Sequence, residues 1–440
     1  MNTLNIFCPS GAIRSRYIIH TLLSEFQGFH IEFSDDIQTF CQIQGAKMSY
    51  LEKSIDRIPN IFNSQTIEND EIFGISIQHF PKNDFQGVSI EHDIFAQCFF
   101  LLTGAEEYHS QHKDKHNRFP GEQSVLSKLN SLQTPVVDVY AQKLKQWLCR
   151  LYPELETSQT KPSAILTFDI DIAYAFKAKP LLRNIGAFSR DLVCLKFNTL
   201  SHRIRVLSGK EPDPFDVYQY LEQLKFQTDI PQIFFFHVRE NGKYDKAANV
   251  HSKAFRNLVK YVSTFATVGI HPSYFGGQDA KQILAEKNIL EDITGEKITH
   301  SRQHFLRFQY PHTAQELVKA GIEKDFTLGY ASTHGWKAGT CNAFQIFDME
   351  TNSILPLKTH PIAFMDGTLK EYLHLDTTDA ILTIRDILQT VMKQHGIYIP
   401  LWHNETISEQ GKWKHWKTEV FEQMLEMLLQ ELKKDNQQKS

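Results

Sequence analysis

Asp169 and Asp171, separated by Ile170, close the apolar β-prone run AILTF and form the densest chemistry in the chain. In an extended segment residues i and i+2 point to one face, so both carboxylates can enter one site. Two carboxylates that close repel each other unless a cation neutralises the pair. The same arrangement, an apolar run ending in an ionisable residue, recurs at IFFF before His237, FATVGI before His271 and GIYIPLW before His403. Arg302 and His304 precede a less regular stretch, FLRF. A single histidine after a strand is ordinarily a hydrogen-bonded core residue, but several of them beside Asp-x-Asp point to one shared site. Asp171 and His271 are then candidate ligands of a divalent metal, and Asp169 is a candidate general base toward water that such a metal polarises. His403, on a later strand, is a candidate proton donor to a leaving group.

These residues need a scaffold that brings strand ends together. Helical spacing appears between the runs at 217–226, 252–264 and 314–320. Strands alternating with helices predict a mostly parallel sheet or barrel, whose carboxyl ends converge on one face. Upstream, TLNIF at 3–7, a helix over 12–26 and the alternating FHIEFSDD make a β-α-β opening. A strand-rich block is expected over Ile58–Ile77, with helices at Asp93–Leu102 and Val137–Leu151. YPELETSQTKPS, residues 152–163, is the best linker candidate. The expectation is an α/β protein with a smaller α/β domain over 1–155 and a (β/α) barrel over 160–440. An amphipathic helix at Thr418–Leu432 and a polar tail from Lys433 to Ser440 close the chain. The polar run Tyr108–Pro120 reads as a surface loop, although His109, His112 and His116 would align on a helix.

Composition narrows the partners. With 47 basic and 51 acidic residues, the formal charge of −4 gives no broad electrostatic reason to expect nucleic acid or an anionic membrane, though a local basic patch remains compatible with it. The six cysteines have no CxxC pair or zinc-knuckle spacing, so they read as mostly buried thiols of a reducing compartment. No stretch approaches the length of a membrane span, and no secretory leader pattern opens the sequence. The location expected is cytoplasmic. No P-loop or dinucleotide fingerprint is present, and Gly329, Gly335 and Gly339 read as turns.

Thr167-Phe168-Asp169-Ile170-Asp171 resembles the first motif of the NodB-homology polysaccharide deacetylases, and the likeness extends over roughly residues 163–410. The resemblance implies a distorted (β/α) barrel and metal-dependent removal of acetyl groups from sugars. Asp169 then matches the catalytic base and Asp171 the metal-binding acid. IFFFHVRENGKYD resembles the strand and loop after the first helix, and Val268-Gly269-Ile270-His271 resembles the start of the second motif, which makes His271 a ligand. Arg302 matches the arginine that orients the base, and Leu401-Trp402-His403-Asn404 resembles the last motif, whose histidine is the general acid. Two departures matter. Phe275 stands where the second motif's other histidine belongs, and Arg302 sits in Ser301-Arg302-Gln303-His304 rather than an Arg-Pro-Pro run. The expectation is that His304, facing the site with Arg302 as an i, i+2 strand pair, supplies the missing nitrogen.

More narrowly, two stretches resemble a divergent bacterial subgroup with an uncharacterised N-terminal α/β domain: Asp93–Trp147 and Phe326–Phe344. Trp336-Lys337 stands in the second where Phe-Arg is expected, and lysine lacks the bidentate fork of arginine. Trp336, Phe344, Trp402 and Tyr274 suit stacking on a sugar ring, with Lys337 beside them. The cofactor expected is a divalent transition metal, foremost Zn²⁺, with Co²⁺, Ni²⁺ or Fe²⁺ also suited to such ligands. The leading expectation is hydrolysis of an acetyl or other acyl group from an amino sugar or glycan precursor, nucleotide- or lipid-linked if the protein is cytoplasmic. Two alternatives stay open: a non-catalytic glycan-binding barrel, motivated by the missing histidine, and a Mg²⁺-dependent phosphatase built on Asp-x-Asp with Asp366-Gly367-Thr368.

Overall fold

The computed structural model describes residues 3–437 apart from 79–84, 159–160, 180–185, 187–188, 191, 196 and 240–241. Part of the expected linker, two residues of the IFFFHVRENGKYD stretch and the last three of the polar tail thus lie outside the described residues.

The first sheet is wholly parallel. Its strands are β1 (Leu4–Phe7), β2 (Ile31–Ser34), β3 (Lys47–Leu51), β4 (Asn60–Phe62) and β5 (Ser89–Ile90), in the order β2-β1-β3-β4-β5. The expected helix over 12–26 is present as an α-helix, Ile13–Ile19, running into a π-helical stretch, His20–Phe26. The strand-rich block expected over 58–77 is a correction. Only β4 forms there, and Asp70–Gly74 is a 3₁₀ turn opened by the Asn69 side chain. Polar Asn, Ser, Gln and Asp between the apolar residues compete locally for backbone hydrogen bonds. The helix Ile94–Leu102 is buried along its whole length, and the Asp93 carboxylate caps it by accepting from the Ala96 N–H.

A short pair, β6 (Ser163–Ala164) and β15 (Ile397–Tyr398), leads into a nine-stranded sheet. That sheet comprises β7 (Leu166–Ile170), β8 (Gln232–Phe236), β9 (Thr267–Ile270), β10 (His300–Ser301), β11 (Lys324–Asp325), β12 (Phe344–Asp348), β13 (Ser353–Thr359), β14 (Phe364–Met365) and β16 (Pro400–His403). The spatial order is β12-β13-β11-β10-β9-β8-β7-β16-β14, parallel except for the β12–β13 hairpin. Among the described residues the ladder does not close on itself. One backbone bond, Ile362 N–H to the Leu328 carbonyl at 2.9 Å, joins the segment before β14 to the segment after β11. The sheet therefore curls toward a barrel without completing one by strand pairing. β7 and β8 are buried at every position, as expected of strands covered on both faces.

The expected helices between strands are found at Tyr218–Thr228, Lys253–Val262 and His312–Lys319. One apolar cluster runs without a break from Leu4 to Leu428 and joins the two sheets. The Tyr17 hydroxyl donates to the Gln345 carbonyl at 2.6 Å, and the Asp138 carboxylate accepts from the Cys341 N–H at 2.9 Å. All six cysteines are free thiols, but only Cys8, Cys98 and Cys341 are buried, so the expectation of a mostly buried set is half met.

Candidate metal centre and acid–base site

The carboxyl ends of β7, β9 and β16, with the segment after β10, meet in a cavity of about 200 Å³. Asp169, Asp171, His271, His304, His403 and Glu405 line it. Asp169 and Asp171 do enter one site: His271 Nε2 stands 3.7 Å from Asp169 Oδ2 and 3.2 Å from Asp171 Oδ1. His304 Nε2 lies 3.7 Å from Asp171 Oδ2. Arg302 and His304 face the site together as expected, but not as a strand pair. β10 ends at Ser301, and His304 opens a tight turn in which Phe305 and Leu306 both take left-handed backbone, with φ of 61° and 54°. Such backbone is costly for residues bearing a Cβ and collects at functional sites. Arg118, from far upstream, pins this turn by donating to the Phe305 carbonyl at 2.7 Å.

The rings of the two histidines are oriented by their other nitrogens. His271 Nδ1 lies 2.5 Å from the Arg302 carbonyl, which can only accept, so Nδ1 carries the proton and Nε2 turns its lone pair inward. His304 Nδ1 lies 3.2 Å from Asp245 Oδ1, an arrangement in which a carboxylate fixes the tautomer of a ligating ring. Asp171 Oδ1 is buried with no hydrogen-bond partner. An inward carboxylate oxygen and two inward imidazole nitrogens at these separations fit a divalent metal, and Asp171, His271 and His304 form one group able to hold it. Burial would raise the Asp171 carboxyl, yet the His304 and His271 rings hold it well below the usual carboxylate range. His304 moves the other way: burial lowers it, but Asp171 and Asp245 carry it up to about 9.

A second group shares His304. His237, one of the strand-end histidines, has Nδ1 3.0 Å from the His271 carbonyl and Nε2 3.4 Å from Asp245 Oδ1. Burial, then the charges of His304 and His271, push it down to about 4. A neutral imidazole offers one lone pair, so His304 cannot serve both groups at once. Only the Asp171 group borders the cavity, since neither His237 nor Asp245 lines it.

Asp169 is held by Arg302, whose Nη1 donates to Asp169 Oδ1 at 2.9 Å. The guanidinium also donates to Thr167 Oγ1 at 2.8 Å and to the Phe326 carbonyl at 2.9 Å, and it lies over the Phe235 ring. Burial lowers the Arg302 pKa and Asp169 opposes the shift. Across the cavity, His403 pairs in register with Asp169 on the neighbouring strand. Its Nδ1 lies 2.7 Å from Asp366 Oδ1, and its backbone N–H donates to Asp366 Oδ2. Burial opposes protonation of His403, but the charge and hydrogen bond of Asp366 raise its pKa well above the ordinary histidine value.

The expected substrate-binding set fares differently. Trp336, Phe344 and Trp402 are buried and line neither this cavity nor its neighbour, so the ring-stacking expectation for them is corrected: they pack the core. Tyr274 is also buried, with its hydroxyl 3.1 Å from His116 Nδ1 and Arg307 over its ring. His116 is thus a packing partner, and His109, His112 and His116 form no ligand group among the described residues. Lys337 is buried in an ion pair with Glu107 at 3.1 Å. It lines a second cavity of about 340 Å³ that shares Arg118, Leu306, Ala331 and Tyr372 with the first. Sequence reasoning missed Asp245, Glu405 and Arg118 entirely and placed Asp366 only within a phosphatase motif. Phe275 is 68% exposed, which explains why its position supplies no ligand.

The profile of DUF7033, a family of unknown function, matches residues 4–153. No curated protein matches the chain. Among solved structures, the chain is similar to a protein assigned as a polysaccharide deacetylase from Mycobacterium smegmatis, at 14% identity and a TM-score of 0.40, over 64% of this chain and 93% of that one. It is similar to the polysaccharide deacetylase Bc1974 from Bacillus cereus at 13% identity and a TM-score of 0.28, over 62% and 88% of the two chains. A CE4 family pseudoenzyme from Bacillus anthracis aligns at 11% identity and a TM-score of 0.30, over 63% and 66%. No helix among the described residues is long and apolar enough to cross a membrane.

Proposed function

We propose that this chain is a metal-dependent hydrolase that removes an acetyl or similar acyl group from an amino sugar or glycan precursor. The observation that carries the reading is the convergence of Asp171, His271 Nε2 and His304 Nε2 between an arginine-clamped Asp169 and a carboxylate-backed His403. The carbohydrate class rests on the sequence motifs around these residues. A divalent cation held by Asp171, His271 and His304 would supply Lewis acidity toward a carbonyl and a water.

The chain's own groups divide the proton work. Arg302 occupies Asp169 Oδ1 and leaves Oδ2 toward the cavity, so Oδ2 is the basic atom that takes a proton from the attacking water. Asp366 accepts from His403 Nδ1–H and keeps the ring cationic, so Nε2–H faces the site as the acid for the departing amine. Acid and base sit on adjacent strands in register, which fixes their separation without loops. The binding-only alternative drew on the lack of a second-motif histidine, and His304 weakens that motive by facing Asp171 from another segment. The phosphatase alternative loses Asp366, which is spent on His403, Gly367 and Thr406. Residues 1–155 we take as the N-terminal α/β domain, whose Arg118 walls the cleft.

The test is acetate release from small N-acetyl sugars by protein loaded in turn with Zn²⁺, Co²⁺ and Ni²⁺. Turnover that falls on the order of 100-fold or more in Asp169→Asn, with metal still bound, supports the assignment. Wild-type protein that binds no metal, or turnover indifferent to Asp169→Asn, overturns it.

A further inference from the structure

Next to the proposed metal centre, His237 holds a ring nitrogen that no donor answers. The residue directly follows β8 and is 1% exposed. Its Nδ1 lies 3.0 Å from the His271 carbonyl, which can only accept, so Nδ1 carries a proton. Its Nε2 is buried with no hydrogen-bond partner, and the nearest carboxylate atom, Asp245 Oδ1, stands 3.4 Å away. A protonated Nε2 would draw that carboxylate in to about 2.8 Å, the length of a charge-assisted bond. The longer separation is that of a neutral ring, whose Nε2 lone pair faces a carboxylate with no proton between two acceptors.

The third member of the group comes from the first centre. His304 Nδ1 lies 3.2 Å from the same Asp245 oxygen, and the His237 and His304 ring centres are 4.7 Å apart. One ligand atom from each of His237, Asp245 and His304 falls within 4.8 Å of the other two. Two donors about 2.0–2.1 Å from an ion, at the tetrahedral angle, stand about 3.3–3.4 Å apart. Both separations from Asp245 Oδ1 are close to that value. Two imidazoles and one carboxylate suit Zn²⁺, Co²⁺ or Ni²⁺. His237 and Asp245 do not border the cavity of the first centre, so an ion held between them meets no substrate.

We infer that His237 Nε2, Asp245 Oδ1 and His304 Nδ1 form a second position for a divalent transition metal, filled by a second equivalent and inhibitory toward the first. His304 has one lone pair to give. When Nδ1 ligates the second ion, the ring proton stands on Nε2 and faces Asp171 Oδ2. The first ion keeps Asp171 and His271 and loses its third protein ligand. The second position is the weaker of the two, because filling it breaks a ligand bond at the first. Binding there does not depend on the acyl chemistry proposed above; only its effect on turnover does.

Titration of the metal-free full chain with Co²⁺, followed by equilibrium dialysis and visible absorption, tests this. The wild type is expected to take up one equivalent tightly and a second more weakly. The absorption of the first ion should change as the second binds, because His304 leaves it. His237→Phe and His237→Asn should keep the first equivalent, which shows that they fold, and lose both the second and the change in absorption. A wild type that stops at one equivalent overturns the inference and leaves the first centre standing. A second equivalent retained by both variants also overturns it, since that ion then sits elsewhere. So does loss of both equivalents in both variants, which would make His237 a brace for His271 alone. Protein that binds both ions in this way, yet releases no acetate with one equivalent bound, fails the hydrolase reading and not this one.

Discussion

His304 presents one nitrogen to each of two carboxylates: Nδ1 lies 3.2 Å from Asp245 Oδ1, and Nε2 lies 3.7 Å from Asp171 Oδ2. Asp245 is in turn fixed by the Tyr274 N–H at 2.9 Å. The outer carboxylate therefore decides which nitrogen carries the proton and which one is free to ligate. Asp245→Asn keeps the shape of that contact and removes its charge. Metal affinity should fall about 10- to 100-fold while His304, His271 and Asp171 remain in place. Zinc titration against a competing chelator measures this, and an unchanged affinity would separate Asp245 from the metal centre.

The exposed position of Phe275 bears on the same ligand set. His304→Ala should abolish binding of one transition metal per chain, as His271→Ala and Asp171→Asn should. Adding Phe275→His to His304→Ala restores the sequence pattern of the second motif but not its geometry, because the residue at 275 points to solvent beside a 3₁₀ turn. Elemental analysis of the double variant should therefore show no recovery of metal. Recovery would mean that the segment 272–278 can refold toward the site.

What the sequence disclosed about the site follows from period and position. Asp169 and Asp171 were legible because a strand puts i and i+2 on one face, and His271 and His403 because each directly follows an apolar run. His304 was legible as a donor close to Arg302, though the left-handed turn at Phe305 that aims it carries no glycine to announce it. Asp245, Asp366 and Arg118 were not legible as site residues. Asp245 and Arg118 sit in loops and Asp366 in the helical turn directly after β14, and each is tied to the site by a tertiary bond that the sequence does not announce: Asp245 to His304, Asp366 to His403, Arg118 to the Phe305 carbonyl. The aromatic residues failed for the opposite reason. Trp402 alternates with His403 along β16, so a strand that turns the histidine to the cavity must turn the tryptophan into the packing layer.

Lys337 and Glu107 form a buried pair across the contact between the N-terminal segment and the long sheet, with both side chains under 5% exposed. Burial already raises the Glu107 carboxyl, and Lys337 draws it back. Lys337→Met leaves the carboxyl without its partner and should cost about 3–5 kcal/mol in urea unfolding. Lys337→Met/Glu107→Leu removes both charges and should recover most of that loss. A double variant as unstable as the single one would mean that the stability lies in packing rather than in the pair.

Acid should destabilise the protein through two histidines remote from the metal centre. His300 and His360 lie on either side of the Phe326 ring, His360 stacked at 4.5 Å and His300 at 6.0 Å. Burial first, then Lys324 and Lys358, push His360 down to about 3. Burial and Lys324 push His300 down to about 4. In the unfolded chain both titrate near the ordinary histidine value of 6.5, so below that pH the unfolded state binds the extra protons. The stability these rings contribute as neutral groups is complete above about pH 6.5 and is lost as pH falls toward 4. Each ring removes about 1.4 kcal/mol per pH unit across that window. His360→Phe keeps an aromatic face on Phe326 and takes away the proton. Its unfolding free energy should fall less steeply from pH 6 to pH 4 than that of the wild type, by about one proton's worth of slope. Parallel pH profiles for the two proteins would show that His360 does not titrate between the folded and unfolded states.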